Sequence, residues 1–269
     1  TPAGFEPNSH RVAERIGEFL LHRLQNYNPN VSIIPARKRG TNHSPNNSKI
    51  IVPMLQADVM FMGPGSPTYA VRQLQDTLAW HTLVARQLLG TSLILASANT
   101  LAFSSNTLPV YEIYKVGDDL HWHLGLDFFG LYGLSLVLIP HWNNSEGGVE
   151  LDTSRCYMGQ TRFERLIAML PPRQTVVGID EHTALILDPL SGECIVLGNG
   201  TVTVIKDKCR TSFPANERFS IFELGSFFRP APETVVPPDI WTRVQQAADK
   251  KGAILPPPPG ILELVQERS

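Results

Sequence analysis

Cysteine is scarce in this sequence: of 269 residues only Cys156, Cys194 and Cys209 carry a thiol. An odd number without C-x-x-C spacing argues against a disulfide framework and a cysteine zinc site, and it points to a reducing cytoplasm. No apolar run approaches the ~20 residues that span a bilayer, so no membrane association is expected. Charged side chains make up only 18% of the chain, and the formal net charge of −2 comes from interspersed signs. The basic stripe that nucleic acid requires is missing, and nucleic acid is not an expected partner. The opening "TPAGFEPNS" has neither the basic start nor the apolar core of a signal peptide. It reads as the end of a strand-to-helix loop whose strand lies upstream.

What is present is a globular composition, 42% hydrophobic, in a chain long enough to bury a substantial core. Strand and helix patterns alternate. Ser9 can cap a helix that carries Val12, Ile16, Phe19, Leu20 and Leu24 at helical spacing. "VSIIPAR", "ADVMFMG", "TSLILAS" and "LSLVLIPH" read as strands. "SPTYAVRQLQDTLAWHTLVARQLLG" reads as one long helix with Ser66 as cap, Pro67 at its first position and Gly90 as stop. Later come a helix around "QTRFERLIAML", the strands "TVVGIDEHTALILD" and "ECIVL", and a hairpin "VLGNGTVTVI" through Asn199-Gly200. Short apolar strands between helices predict a mostly parallel sheet covered on both faces, a flavodoxin-like three-layer α/β sandwich. From Phe213 the composition turns proline-rich, with the short helical patterns "WTRVQQAADKK" and "GILELVQERS". The expected division is a hydrolytic domain over 1–212 and an extension over 213–269.

Three polar residues fall where such sheets place reactive groups, at the carboxyl ends of strands. Ser97 closes "TSLILAS" just before a helix begins at "ANTLAF", His141 ends "LSLVLIPH", and "GIDEHTAL" offers Asp180 and Glu181. A serine, a histidine and an acid can act as nucleophile, general base and orienting group. Each also has a plainer use: Ser97 as a helix cap, His141 in a loop, the acids in a turn. Gly63 and Gly65 in "FMGPGSP" follow a strand and precede a helix, so their amides can face an oxyanion. A tight turn is the alternative. A phosphate loop would need a lysine or a third glycine that "GPGSP" lacks.

In order along the chain, "FMGPGSPTYAVRQL", "LASANTLAF", "IPHWNN…SRCYMGQTRFERL" and "GIDEHTALIL" resemble the cyanophycinase and dipeptidase E family of serine peptidases, which have a class I glutamine amidotransferase-like fold. The resemblance spans roughly Thr1 to Ile205. It implies Ser97 as nucleophile, His141 as base, Glu181 as third member, and amides at Gly65 and Ala98 as oxyanion hole. It also implies cleavage of a peptide or related amide bond, with no cofactor and no metal. Family members cleave beside aspartyl residues, so Arg155 and Arg162 are candidates to grip a substrate carboxylate.

Two departures stand out. Where the family's elbow approaches G-x-S-x-G, this chain has Leu95 and Asn99, which crowd the turn and stand where substrate approaches. "NNSEGGVELDTSR" is insertion-like, and its Asn143, Asn144 and Glu146 are candidate substrate ligands. His121 and His123 in "HWH" share one side of an extended segment but show no third metal ligand. "YEIYK" reads as buried edge or interface packing. No cysteine lies near the elbow, which sets glutaminase chemistry aside. The expectation is a cytoplasmic serine peptidase-like hydrolase using a small peptide or amide substrate. The alternative is a non-catalytic relative that keeps the crevice for binding or assembly. A homodimer is left open.

Overall fold

The computed structural model describes residues 5–250. In chain order the elements are α1 (Ser9–Arg23), β1 (Val59–Met62), α2 (Pro67–Leu74), α3 (Leu78–Leu88), β2 (Ser92–Leu95), α4 (Ala98–Ala102), β3 (Asn106–Thr107), β4 (His123–Leu124), β5 (Leu136–Ile139), α5 (Gly159–Met169), β6 (Thr175–Ile179), β7 (Thr183–Asp188), β8 (Glu193–Gly198), β9 (Thr201–Lys206), β10 (Cys209–Pro214), β11 (Arg218–Ser220), α6 (Pro232–Val235) and α7 (Pro238–Lys250). Among the described residues no helix is long and apolar enough to cross a membrane. The chain divides into two compact units. Of the described residues, one takes 5–9, Met62–Gln75 and Leu95–Pro230; the other takes His10–Phe61, Asp76–Ile94 and 231–250.

In the first unit, β5 is the apolar run Leu-Val-Leu-Ile, buried at every position. Successive side chains of a strand point to opposite faces. Val137 and Ile139 therefore join one core cluster with Phe163 and Leu166 of α5, whereas Leu136 and Leu138 join a second with Cys194, Val196, Val202, Phe213 and Phe219. A helix covers one face and strands cover the other. β5 pairs with β6 in parallel, but β6–β9, β9–β10, β7–β8 and β8–β11 are antiparallel.

The expected mostly parallel sheet with helices on both faces is therefore corrected to mixed and antiparallel sheets in an α/β fold. The reason is connection length. Only Asp207 and Lys208 separate β9 from β10, and only 189–192 separate β7 from β8. A parallel crossover needs about a dozen residues or more. Asp207 and Lys208 both take left-handed conformations, with φ of 51° and 67°, which suits a two-residue hairpin turn. The hairpin expected at Asn199-Gly200 is not one. There the chain passes from the sheet β11-β8-β7 to the sheet β10-β9-β6-β5. A side chain at Gly200 would meet Thr183 Oγ1 at 2.6 Å and Asp180 Cβ at 2.7 Å.

The boundary expected at 212/213 runs through β10, whose Phe213 stacks on Phe219 with ring centroids 3.8 Å apart. The first unit thus continues to Pro230.

β1 and β2 form a two-stranded sheet whose last residues, Met62 and Leu95, belong to the first unit; in the second unit α7 packs on α3 with Ile240 and Val244 buried. α7 is the expected "WTRVQQAADKK" helix; the pattern "GILELVQERS" lies outside the described residues. "VSIIPAR" forms no strand, consistent with Pro35 lacking an N–H for a ladder. The single long helix expected after Ser66 is two. Asp76 is left-handed (φ 54°), and Thr77 caps α3 by accepting from Trp80 N–H at 3.2 Å.

Candidate active site

Every residue of the site lies in the first unit. Ser97 leaves the end of β2 with φ 53° and ψ −114°, a backbone conformation that costs a non-glycine residue ~1–3 kcal/mol. Its side chain makes no cap for α4. Instead Ser97 Oγ lies 3.2 Å from His141 Nε2. His141, itself left-handed at φ 54°, follows Pro140 at the end of β5. Its Nδ1 lies 3.0 Å from Glu181 Oε1, which comes from the turn between β6 and β7. With its proton on Nδ1, the imidazole donates to the carboxylate and offers Nε2 as acceptor to the serine hydroxyl. Asp180, the other acid in the sequence reading, accepts instead from Thr201 N–H at 2.9 Å and serves the turn.

Glu181 is held from two further sides. Asn144 Nδ2 donates to Oε1 at 2.8 Å, and Glu181 N–H donates to Asn143 Oδ1 at 2.8 Å. The Asn144 bond first, and the His141 bond second, hold the Glu181 carboxyl below its ordinary value of 4.5. Asn143 and Asn144 thus orient the acid, whereas the sequence reading offered them as substrate ligands. Their signal was present in "HWNN", since side chains directly after a histidine can reach whatever that histidine contacts. Asn144 also accepts from Glu146 N–H at 3.2 Å, folding the inserted loop back on the site.

The expected carboxylate grips are occupied. Arg155, Cys156 and Tyr157 form a run of consecutive left-handed residues, with φ of 57°, 56° and 67°. Arg162 donates through Nε to Met158 O at 2.6 Å and through Nη2 to Tyr157 O at 2.9 Å. Arg155 Nη1 donates to Trp142 O at 2.8 Å, and its guanidinium lies 4.0 Å from the centroid of the Trp142 ring. Both arginines brace main chain. Cys156 N–H donates to His141 O at 3.1 Å, so this turn holds the backbone of the histidine.

The Cys156 thiol is buried and pushed up to about 12, which keeps it neutral. Tyr157 places its ring 6.1 Å from the His141 ring and donates its hydroxyl to Glu146 Oε2 at 3.2 Å. Burial first, and the Glu146 charge next, push that phenol up to about 12. Sequence reasoning missed Tyr157, as it missed the seat of Trp142. A side chain at Gly178 would come within 2.2 Å of the Trp142 ring. A glycine inside the apolar strand "TVVGI" is the signal for such close approach.

Around the serine, Gly65 has φ 140° and Ala98 opens α4. Among the described residues neither N–H has a protein acceptor, as donors awaiting an oxyanion would be. Leu95, at the end of β2, is half-buried, and its carbonyl accepts from Thr100 Oγ1 at 3.2 Å. Asn99 is a correction: with 0% exposure it cannot line a substrate path, and its Nδ2 donates to Gly63 O at 2.8 Å.

Elsewhere, "YEIYK" contributes a π-helical turn at Glu112–Val116, where Glu112 Oε1 accepts from Thr68 Oγ1 at 2.5 Å. The His121 and His123 rings meet edge to face at 5.0 Å, with no third metal-binding side chain among the described residues.

No protein-family model matches the sequence, and no curated protein matches it. A Listeria monocytogenes EGD-e protein whose name places it with Peptidase E matches with a TM-score of 0.36 at 13% identity, covering 62% of this chain and 65% of that one. The crystal structure of a peptidase from an acI-B1 Actinobacterium matches with a TM-score of 0.60 at 18% identity, covering 81% of each chain. This chain is therefore similar in fold to a peptidase, a mixed α/β architecture common to both.

Proposed function

We propose that the chain is a serine hydrolase of peptidase type, acting on a peptide or related amide bond. The observation that carries this reading is the strained Ser97 backbone joined to a continuous chain of contacts, Ser97 Oγ to His141 Nε2 at 3.2 Å and His141 Nδ1 to Glu181 Oε1 at 3.0 Å. Backbone strain of this kind gathers where it has a use, and a serine that only caps a helix needs none.

In the proposed reaction Ser97 Oγ bonds to the carbonyl carbon while its proton passes to His141 Nε2. Glu181 keeps the ring oriented and offsets the charge the imidazole gains. The negative oxygen of the tetrahedral intermediate accepts from the amides of Ala98 and Gly65. As the C–N bond breaks, His141 returns the proton to the departing nitrogen. Water, deprotonated by the same imidazole, then releases the acyl group and restores the serine. No step draws on a metal or a redox cofactor. The carboxyl of Glu181, held low by Asn144 and His141, stays ionised as the orienting role requires.

The test is incubation with a mixture of short peptides and amides, read by mass spectrometry. Time-dependent cleavage by the wild type and none by Ser97→Ala is the expected result. Equal cleavage by both would remove the proposal.

A further inference from the structure

We infer that Asn99 is a positioning residue, a clamp that holds the Gly63–Gly65 loop against the nucleophile turn so that both oxyanion amides face one point. The inference rests on the hydrolase reading of Ser97.

The elbow and the loop are joined on both sides of the serine. Before it, Ala96 N–H donates to Met62 O at 2.9 Å; after it, Asn99 Nδ2 donates to Gly63 O at 2.8 Å. The peptide whose carbonyl Asn99 holds is the one leading into Pro64, which has no N–H of its own to fix the loop. Gly65 follows at φ 140°, a conformation open to glycine and one that local sterics do not hold in place. Without Asn99 the loop would be held only at its two ends, by the strand-end bond at Met62 and by Ser66, which caps α2 by accepting from Tyr69 N–H at 3.2 Å.

The choice of residue is costly. Asn99 is 0% exposed, and its Oδ1 is buried with no hydrogen-bond partner among the described residues. A glycine or alanine would bring no side-chain acceptor of its own to bury. A buried amide that spends its donor across the site and leaves its acceptor unpaired is explained by what the donor holds. An oxyanion hole needs its donors fixed before the charge develops. The clamp therefore acts on the rate of the chemical step rather than on encounter with substrate.

The experiment uses a fluorophosphonate, whose phosphoryl oxygen becomes negative as the serine adds and fluoride leaves. The maximal labelling rate and the half-saturating probe concentration are measured for wild type, Asn99→Ala, Asn99→Gly and Asn99→Asp. The maximal rate should fall at least about tenfold in Asn99→Ala and Asn99→Gly, with half-saturation changed less than about twofold. Asn99→Asp supplies a readout that loss of packing would not move. Burial favours its neutral form, whose O–H can still donate to Gly63 O, while the carboxylate cannot. Its rate relative to wild type should start high in mild acid and fall as pH rises. Wild-type rates in both Asn99→Ala and Asn99→Gly, with intact near-ultraviolet circular dichroism, would overturn the clamp and leave the hydrolase standing. If those variants do not fold, a pH-independent ratio for Asn99→Asp would overturn it equally. A wild type that takes no label would bring down both readings.

Discussion

Two turns in the first unit force non-glycine residues into left-handed backbone, and they end differently. At the elbow, Ser97 is left-handed and its hydroxyl faces the His141 ring. In the turn Arg155–Tyr157 three residues are left-handed in succession, and their carbonyls and amides are tied down: Tyr157 O to Arg162, Cys156 N–H to His141 O, Arg155 N–H to Trp142 O. In the proposed function the first turn stores strain to isolate one reactive atom. The second offsets strain with charged donors to hold the histidine's backbone. Removing a group should therefore cost rate at the elbow and stability at the brace.

The largest effect expected is on rate. His141→Ala should lower fluorophosphonate labelling by about 10,000-fold, because an alcohol is a weak nucleophile without its base, while the thermal unfolding midpoint stays close to wild type. A variant that labels at the wild-type rate would separate the serine from the histidine and break the comparison at its first half.

Arg162→Ala tests the second half. It leaves two carbonyls of a strained turn without a charged donor, for a loss of about 2 kcal/mol in denaturant unfolding. Unchanged stability would mean that the turn holds itself.

Asn144→Ala is subtler. The folded carboxyl of Glu181 is depressed, so the pairing is present above its ordinary value of 4.5 and is lost as pH falls through the lower folded value. Removing the leading cause of that depression moves the loss upward. The acid limb of the labelling profile should shift to higher pH, with a fall of about tenfold or less at neutral pH. An acid limb that stays in place would show that His141 alone holds the carboxyl low.

The smallest effect belongs to Arg155→Ala. With its guanidinium already on Trp142 O, the ratio of cleavage between acidic and neutral peptides should change less than about twofold. A selective loss for acidic peptides would return Arg155 to the substrate.

That Ser97, His141 and Glu181 come together was legible because strand ends are legible. An apolar run such as "LVLI" stops at a definite residue, and the next polar side chain is delivered to the sheet edge. Hydrogen bonding then separated Glu181 from Asp180. Periodicity cannot rank two adjacent acids, but Thr201 N–H claims one and the imidazole the other. The uses of Arg155, Arg162 and Asn99 were hidden for a different reason. Each donates to a main-chain carbonyl, and carbonyls have no letter in the sequence. Of the segment "RCYMG", only the glycine announces positive φ. The antiparallel half of the fold was misjudged where Asn199-Gly200 looked like a hairpin turn, while the turn that does reverse the chain, Asp207-Lys208, contains no glycine.

The central claim is that Ser97 is an activated nucleophile. Its most direct measurement is the mass of the Ser97-containing peptide after the intact protein is treated with a fluorophosphonate and digested. A single phosphonyl adduct on Ser97, absent when His141 is alanine, is the result predicted here; an unmodified Ser97 in folded wild-type protein would contradict it.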